Sequence, residues 1–297
     1  MDIGRIGIWT FTLDLVPSAQ SAEHVDELDE LGFGAVWIPE AVGREAFTSA
    51  ALLLRGGTGI VVATGIAGIY GRDPMAAAAA QKTVTEAYPD RFLLGLGVSH
   101  QVMVEGIRKH DYSKPFSAMR DYLDGMDEAM FFAAPPTTEP VRVLAALGPR
   151  MLGLSRDRAA GACPYFVPPE HTAAAREILG EGPLLAVEQA VVFETDPAKA
   201  RDTARSHTKT YTGLPNYTNN LRRLDPTLTD EDFAHAGSDR LVDSIVAWGT
   251  EDQILARIQA HLDAGADHVC IQVIEDGTDV PTEAWRRLSD ALSLRSA

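Results

Sequence analysis

Residues 91–100 read RFLLGLGVSH, a strand-like run that stops abruptly at polar chemistry. Phe92, Leu93, Leu94, Leu96 and Val98 are apolar without alternation, the pattern of a strand covered on both faces in a parallel sheet. Gly95 and Gly97 remove side chains where another group approaches closely. Ser99 and His100 fall where such a strand opens into a loop, the usual place for chemistry in parallel α/β folds.

The same unit recurs outward in both directions. Before it come RIGIW (5–9) with a helix over about 18–31, FGAVWIPE (33–40) with one over about 46–55, and GIVVATGIA (59–67) with one over about 74–87. RFLLGLGVSH itself precedes a helix over about 115–132. After it come VRVLAAL (141–147) with 149–159, GACPYFV (161–167) with 169–179, LLAVEQAVVF (184–193) with helices from about 197, and HVCIQVI (268–274) with about 281–294. Strands alternating with helices imply a parallel sheet with right-handed crossovers, and eight units in 297 residues fit a (β/α)8 TIM barrel of α/β class. Gly32, Gly180 and Gly265 stand where helices should end, and Asp73-Pro74 and Asp196-Pro197 where helices should begin. Residues 211–249 exceed one crossover and read as a helical insertion between strands seven and eight, on the face where strands end: a lid, a dimer surface or a structural elaboration. No linker divides residues 1–297, so a single domain is expected.

Composition narrows the function classes. Twenty-six Lys and Arg against 42 Asp and Glu give a net charge of −16, which argues against nucleic acid or an anionic membrane as the partner. Cys163 and Cys270 are too few for a disulfide framework and read as core thiols, and no metal site is expected. No apolar run approaches the roughly 20 residues of a membrane helix, and no leader pattern precedes the first strand, so a cytoplasmic protein is expected.

In a barrel of this kind the site collects the C-terminal strand ends. Those ends hold Trp9 to Phe11, Pro39 to Ala41, Thr64 to Ala67, Ser99 and His100, Gly148 and Pro149, Tyr165 to Val167, and the region of Glu188 and Gln189. His100 is the best titratable candidate, because an imidazole both gives and takes protons near neutrality. Glu40 can position a ligand donor, act as base, cap the next helix or pair with Arg44. Glu45 and Arg72, one loop further out, read by default as solvated surface groups. Gly148-Pro149 can present free N–H groups at a helix start to an anion. Nothing matches a GxSxG elbow, a Walker loop or HExxH, and the strand cores contain no lysine for a Schiff base.

Four stretches resemble the luciferase-like monooxygenase superfamily: residues 30–40, 63–100, 143–166 and 190–201. The second carries R-x-P, an Ala-rich helix, D-R-F and then L-G-L-G, an order that recurs in that superfamily, and the sequence as a whole is similar to its branch of coenzyme F420-dependent oxidoreductases. The resemblance implies a deazaflavin cofactor with a small-molecule substrate, or alternatively FMN, and a homodimer. It places Thr64 and Gly65 at the non-proline cis peptide that backs the cofactor's central ring, with Ile66, Gly97 and Ser99 also in the cofactor site. Glu40 would stand beside the ring, Gly148, Pro149 and Tyr165 by the phosphate side, and His100 and Glu40 in catalysis. Trp9, Phe11 and Tyr70 would wall the substrate pocket. The chain departs from the sugar-phosphate dehydrogenase branch at Ala41, where a catalytic histidine is usual, and at Glu45 in place of a tryptophan. These departures argue against a sugar-phosphate substrate, leave the cofactor site in place, and admit a non-catalytic binding relative as a further alternative.

Overall fold

The computed structural model describes residues 1–295. Eight parallel strands close into a barrel: β1 (Ile6–Trp9), β2 (Ala35–Ile38), β3 (Val61–Thr64), β4 (Phe92–Gly97), β5 (Val141–Leu144), β6 (Gly161–Ala162), β7 (Leu184–Val192) and β8 (His268–Val273). Each pairs with its neighbour in sequence, and closure runs from β8 to β1, with Ile6 opposite Val269. Two short strands extend this sheet, 67–68 against the end of β4 and 247–248 against the end of β7.

Inward and outward residues separate by strand parity. Val36, Ile38, Val62, Leu94, Leu96, Leu144, Val187 and Ile271 face the helical shell and form one core. Ala35, Trp37, Val61, Ala63, Leu93, Val143, Cys163, Ala186 and Cys270 form a second core inside the barrel. Much of that interior set is small, and toward the C-terminal rim it continues as Gly65, Gly97 and Ala145. The interior is therefore filled at the bottom and left open at the top.

The shell consists of α1 (Ser18–Glu30), α2 (Ala46–Leu53), α3 (Pro74–Ala87), α4 (Pro115–Asp127), α5 (Pro149–Arg158), α6 (Pro169–Leu179), α7 (Pro197–Thr208), α8 (Pro215–Leu224), α9 (Asp230–Phe233), α10 (Asp239–Ile245), α11 (Glu251–Asp263) and α12 (Thr282–Ala291). Asp73 and Asp196 cap α3 and α7 by accepting backbone N–H groups, with proline at each first turn. Gly32, Gly180 and Gly265 follow their helices at φ of 85°, 71° and 99°, where a side chain would be strained. The segment between strands seven and eight holds α8, α9 and α10, and packs a third core from Phe166, Tyr217, Leu221, Leu241 and Val242. Among the described residues, no helix is long and apolar enough to cross a membrane.

Candidate active site

At the C-terminal rim lies a cavity of about 650 Å³, within the usual size for a cofactor or substrate site. Its floor is the barrel interior: Trp9, Trp37, Cys163, Ala186, Glu188 and Cys270. One wall comes from Gly65, Ile66, Gly97, Ser99 and His100, another from Gly148 to Met151 at the start of α5. The insertion closes it from above with Tyr211, Leu214, Asn216, Tyr217 and Arg223.

β3 ends in a cis peptide between Gly65 and Ile66, one residue beyond the Thr64-Gly65 position inferred from sequence. Thr64 is fully buried and does not reach the cavity. Its hydroxyl donates to the Gly95 carbonyl at 2.8 Å and accepts the Gly95 N–H at 2.9 Å, so its part is to lock β3 to β4. Gly97 lies against Ile66, and a Cβ there would meet that side chain at 2.6 Å.

After β4 the chain turns at Ser99, with φ of 56°, and enters a wide π-type helix over Val102–Ile107. This turn points His100 into the cavity, 5.4 Å from the Tyr217 ring. Burial pulls the imidazole below its ordinary pKa, opposed by a hydrogen bond with the Asn216 side chain, so the ring is neutral near neutrality. Its Nδ1 is buried with no partner among the described residues.

Glu40 reaches the cavity from β2, but its carboxylate is occupied. It accepts Gly68 N–H at 2.8 Å and Ala46 N–H at 3.3 Å and is ion-paired with Arg72. Arg44 instead donates to the Leu13 and Val16 carbonyls and faces Asp14. Glu45 caps α2 and also pairs with Arg72, at 2.9 Å, so both serve this buried cluster and the solvated reading of Arg72 does not hold.

Gly148 is the N-cap of α5 and Pro149 its first residue, so the positive end of this helix dipole lies at the cavity, which Gly148 to Met151 line. Two guanidiniums that sequence reasoning passed over stand here. Arg150 lies over the Phe116 ring at 4.2 Å, and Arg223 comes from α8, where Asn220 holds it at 3.1 Å. A Cβ on Gly148 would sit 3.6 Å from Arg223, so the three form one positive corner. Arg150 was legible beside Pro149, whereas Arg223 arrives through tertiary packing of the insertion and has no local signal.

Tyr165 packs on Trp9 at 5.1 Å, donates its hydroxyl to Gln272 at 2.8 Å and shares a hydrogen bond with Tyr211 at 2.9 Å. Trp9, expected from sequence in the pocket wall, lines the cavity as part of its floor. Phe11 and Tyr70 are not: Phe11 is 48% exposed at the rim, and Tyr70 stacks with His110 and Tyr112 behind the β4 loop. Both follow strand ends on loops that turn their rings away from the cavity, which Tyr211 and Tyr217 line.

Comparison with known proteins follows this geometry. The luciferase-like monooxygenase family model matches residues 12–268. A candidate coenzyme F420-dependent oxidoreductase of Mycobacterium tuberculosis is 27% identical over 208 residues, 60% of this chain and 59% of that relative, so the match spans under two thirds of its length. An F420-dependent secondary alcohol dehydrogenase, solved with an F420-acetone adduct, superposes with a TM-score of 0.77 over 99% of this chain and 100% of its own, at 13% identity. The coenzyme F420-dependent tetrahydromethanopterin reductase of Methanopyrus kandleri gives 0.72 over 99% and 97%, at 17% identity, and both likenesses speak for the fold. With the barrel, the rim cavity and a family match over most of its length in agreement, the chain belongs to the luciferase-like monooxygenase family.

Proposed function

We propose that the protein is a coenzyme F420-dependent oxidoreductase that exchanges a hydride with a small organic substrate, with His100 giving or taking the accompanying proton. The observation that carries this reading is one cavity combining a positive corner at α5 with a buried, neutral imidazole whose Nδ1 lacks a partner among the described residues. The relative from Mycobacterium tuberculosis supports the choice of coenzyme.

The lining fits such a ligand: Gly65, Ile66 and Gly97 offer a flat surface, and Arg150, Arg223 and the α5 N–H groups suit an anionic tail. When bound, the coenzyme supplies the hydride chemistry. His100 holds or releases a proton at Nδ1. Tyr211, Leu214 and Tyr217 exclude water from above. Glu40, saturated by Arg72 and backbone donors, is a positioning residue that fixes Gly68 and the preceding turn rather than a proton carrier.

A second reading, an FMN-dependent monooxygenase, is supported by the family description. Separate titrations with coenzyme F420 and FMN, followed by fluorescence quenching and a hydride-transfer assay, distinguish them. Coenzyme F420 should bind far more tightly, and His100→Ala should retain binding while losing about 10²- to 10⁴-fold in turnover. FMN binding with oxygen uptake would favour the monooxygenase, binding without turnover a non-catalytic relative, and binding of neither cofactor would remove the proposal.

A further inference from the structure

The barrel floor holds an acid that the proposed chemistry leaves unused. β7 directs Ala186 and Glu188 inward, while Gln189 turns outward, its Oε1 accepting from His261 Nε2 at 2.9 Å. Glu188 is 3% exposed and lines the cavity beside its β8 partner Cys270. Its Oε2 accepts the N–H of Phe166 at 3.1 Å, and that amide is aimed inward by a left-handed backbone, φ 59°. Its Oε1 is buried with no partner among the described residues.

The groups that face Glu188 are neutral. Tyr165, Tyr211, Tyr217 and Cys270 are all pushed above their ordinary values, chiefly by burial, with the nearby carboxyl adding to each and the Tyr165 hydrogen bond opposing the rise at Tyr211. The favourable contact for the charged form is the Phe166 N–H, which is not enough: burial lifts the carboxyl to about 8, so it keeps its proton near neutrality. Since Oε2 is occupied as an acceptor, the proton sits on Oε1. A buried hydroxyl donor with no acceptor among the described residues, on a side chain that lines the cavity, is a group awaiting one.

We propose that Glu188 is a ligand-recognition residue, whose Oε1 hydroxyl donates a hydrogen bond to the oxygen of a neutral carbonyl or alcohol ligand in the barrel. A carboxylate ligand is disfavoured there, because it would bury charge on a floor without a cation. As substrate recognition this rests on the proposed redox function, but as binding it stands apart from it.

The test is infrared difference spectroscopy on the full chain with carbonyl-labelled cyclohexanone. In the wild type the bound ketone's carbonyl band should move to lower frequency than in hydrocarbon solvent. Glu188→Leu should abolish that shift and weaken binding about threefold to tenfold, the worth of one neutral hydrogen bond. Glu188→Gln keeps an N–H donor and a similar shape, so it should retain a smaller shift and covers failure of the leucine variant to fold. An unshifted band in the wild type, an equal shift in both variants, or no binding of cyclohexanone overturns the proposal. A parallel coenzyme F420 titration of the wild type separates the two readings: a shifted ketone band without coenzyme binding removes the redox function and leaves the role of Glu188.

Discussion

Arg72 and Glu40 form an ion pair with side chains only 11% and 5% exposed, and it ties four segments of the rim together. Glu40 holds Gly68 and Ala46 by their N–H groups, while Arg72 donates to the Gly68 carbonyl at 3.1 Å, pairs with Glu45 and lies over the Phe47 ring. The end of β2, the strand at 67–68, the start of α2 and the start of α3 thus share one buried polar node beside the cavity.

Removing one member of that node strands the other. Arg72→Met leaves the Glu40 carboxylate buried without its counter-charge, which should lower stability by about 3–5 kcal/mol in urea unfolding. The double variant Arg72→Met with Glu40→Gln should recover part of that loss, since no uncompensated charge remains. A single variant within about 1 kcal/mol of the wild type would show that the pair is solvated in practice.

Gly95 tests how tightly β3 and β4 are joined. A Cβ at this position would stand 1.9 Å from the Thr64 carbonyl oxygen, a backbone atom held by the Thr64 hydroxyl bridge and unable to give way. Gly95→Ala should therefore cost at least the upper end of the ~1–3 kcal/mol typical of overpacking, seen as loss of soluble folded protein by circular dichroism. Gly106→Ala is a suitable control, because nothing lies within 4 Å of its Cβ position.

The barrel was legible because its signals are local. Period, helix-start prolines and glycines at helix ends are written in short windows, and Asp73, Asp196, Gly32, Gly180 and Gly265 all act as their sequence context implies. Helix α4 was read about five residues too long, to about 132, because the apolar run at Met130 to Phe132 continues past its end at Asp127; in the fold Phe132 is 93% exposed. At the site, residues fixed by a strand end, such as His100, Gly97 and Gly148, could be placed from sequence. Those whose direction depends on a loop, such as Phe11 and Tyr70, could not. Arg223, Tyr211 and Tyr217 reach the cavity only because the insertion folds back over the rim.

Arg223 should decide how well an anionic coenzyme is held. A charge-assisted hydrogen bond contributes about 1.5–3 kcal/mol, so Arg223→Ala should raise the Kd for coenzyme F420 by roughly tenfold to a hundredfold and reduce the salt dependence of binding. Arg222→Ala is the control: its guanidinium pairs with the exposed Asp230 and lies 4.8 Å from the Phe233 ring, away from the cavity. Equal losses from both variants in fluorescence-quenching titrations would point to general surface charge instead of the α5 corner.

Glu188 makes a prediction about pH and stability that needs no ligand. Its carboxyl is lifted from an ordinary 4.5 to about 8 in the folded chain, mainly by burial, so between those values the native state binds a proton that the unfolded state releases. The contribution is fully favourable below the unfolded pKa and is lost as pH rises through about 8, when a buried charge must form opposite Tyr165, Tyr211, Tyr217 and Cys270. Glu188→Gln cannot ionise and escapes that loss. Measured by thermal unfolding, the wild type should therefore lose Tm relative to Glu188→Gln as pH is raised from 5, with the divergence growing up to about 8 and levelling off above it, where both states are deprotonated. Parallel Tm curves for the two proteins across that range would mean that the carboxyl titrates at its ordinary value and is already ionised near neutrality.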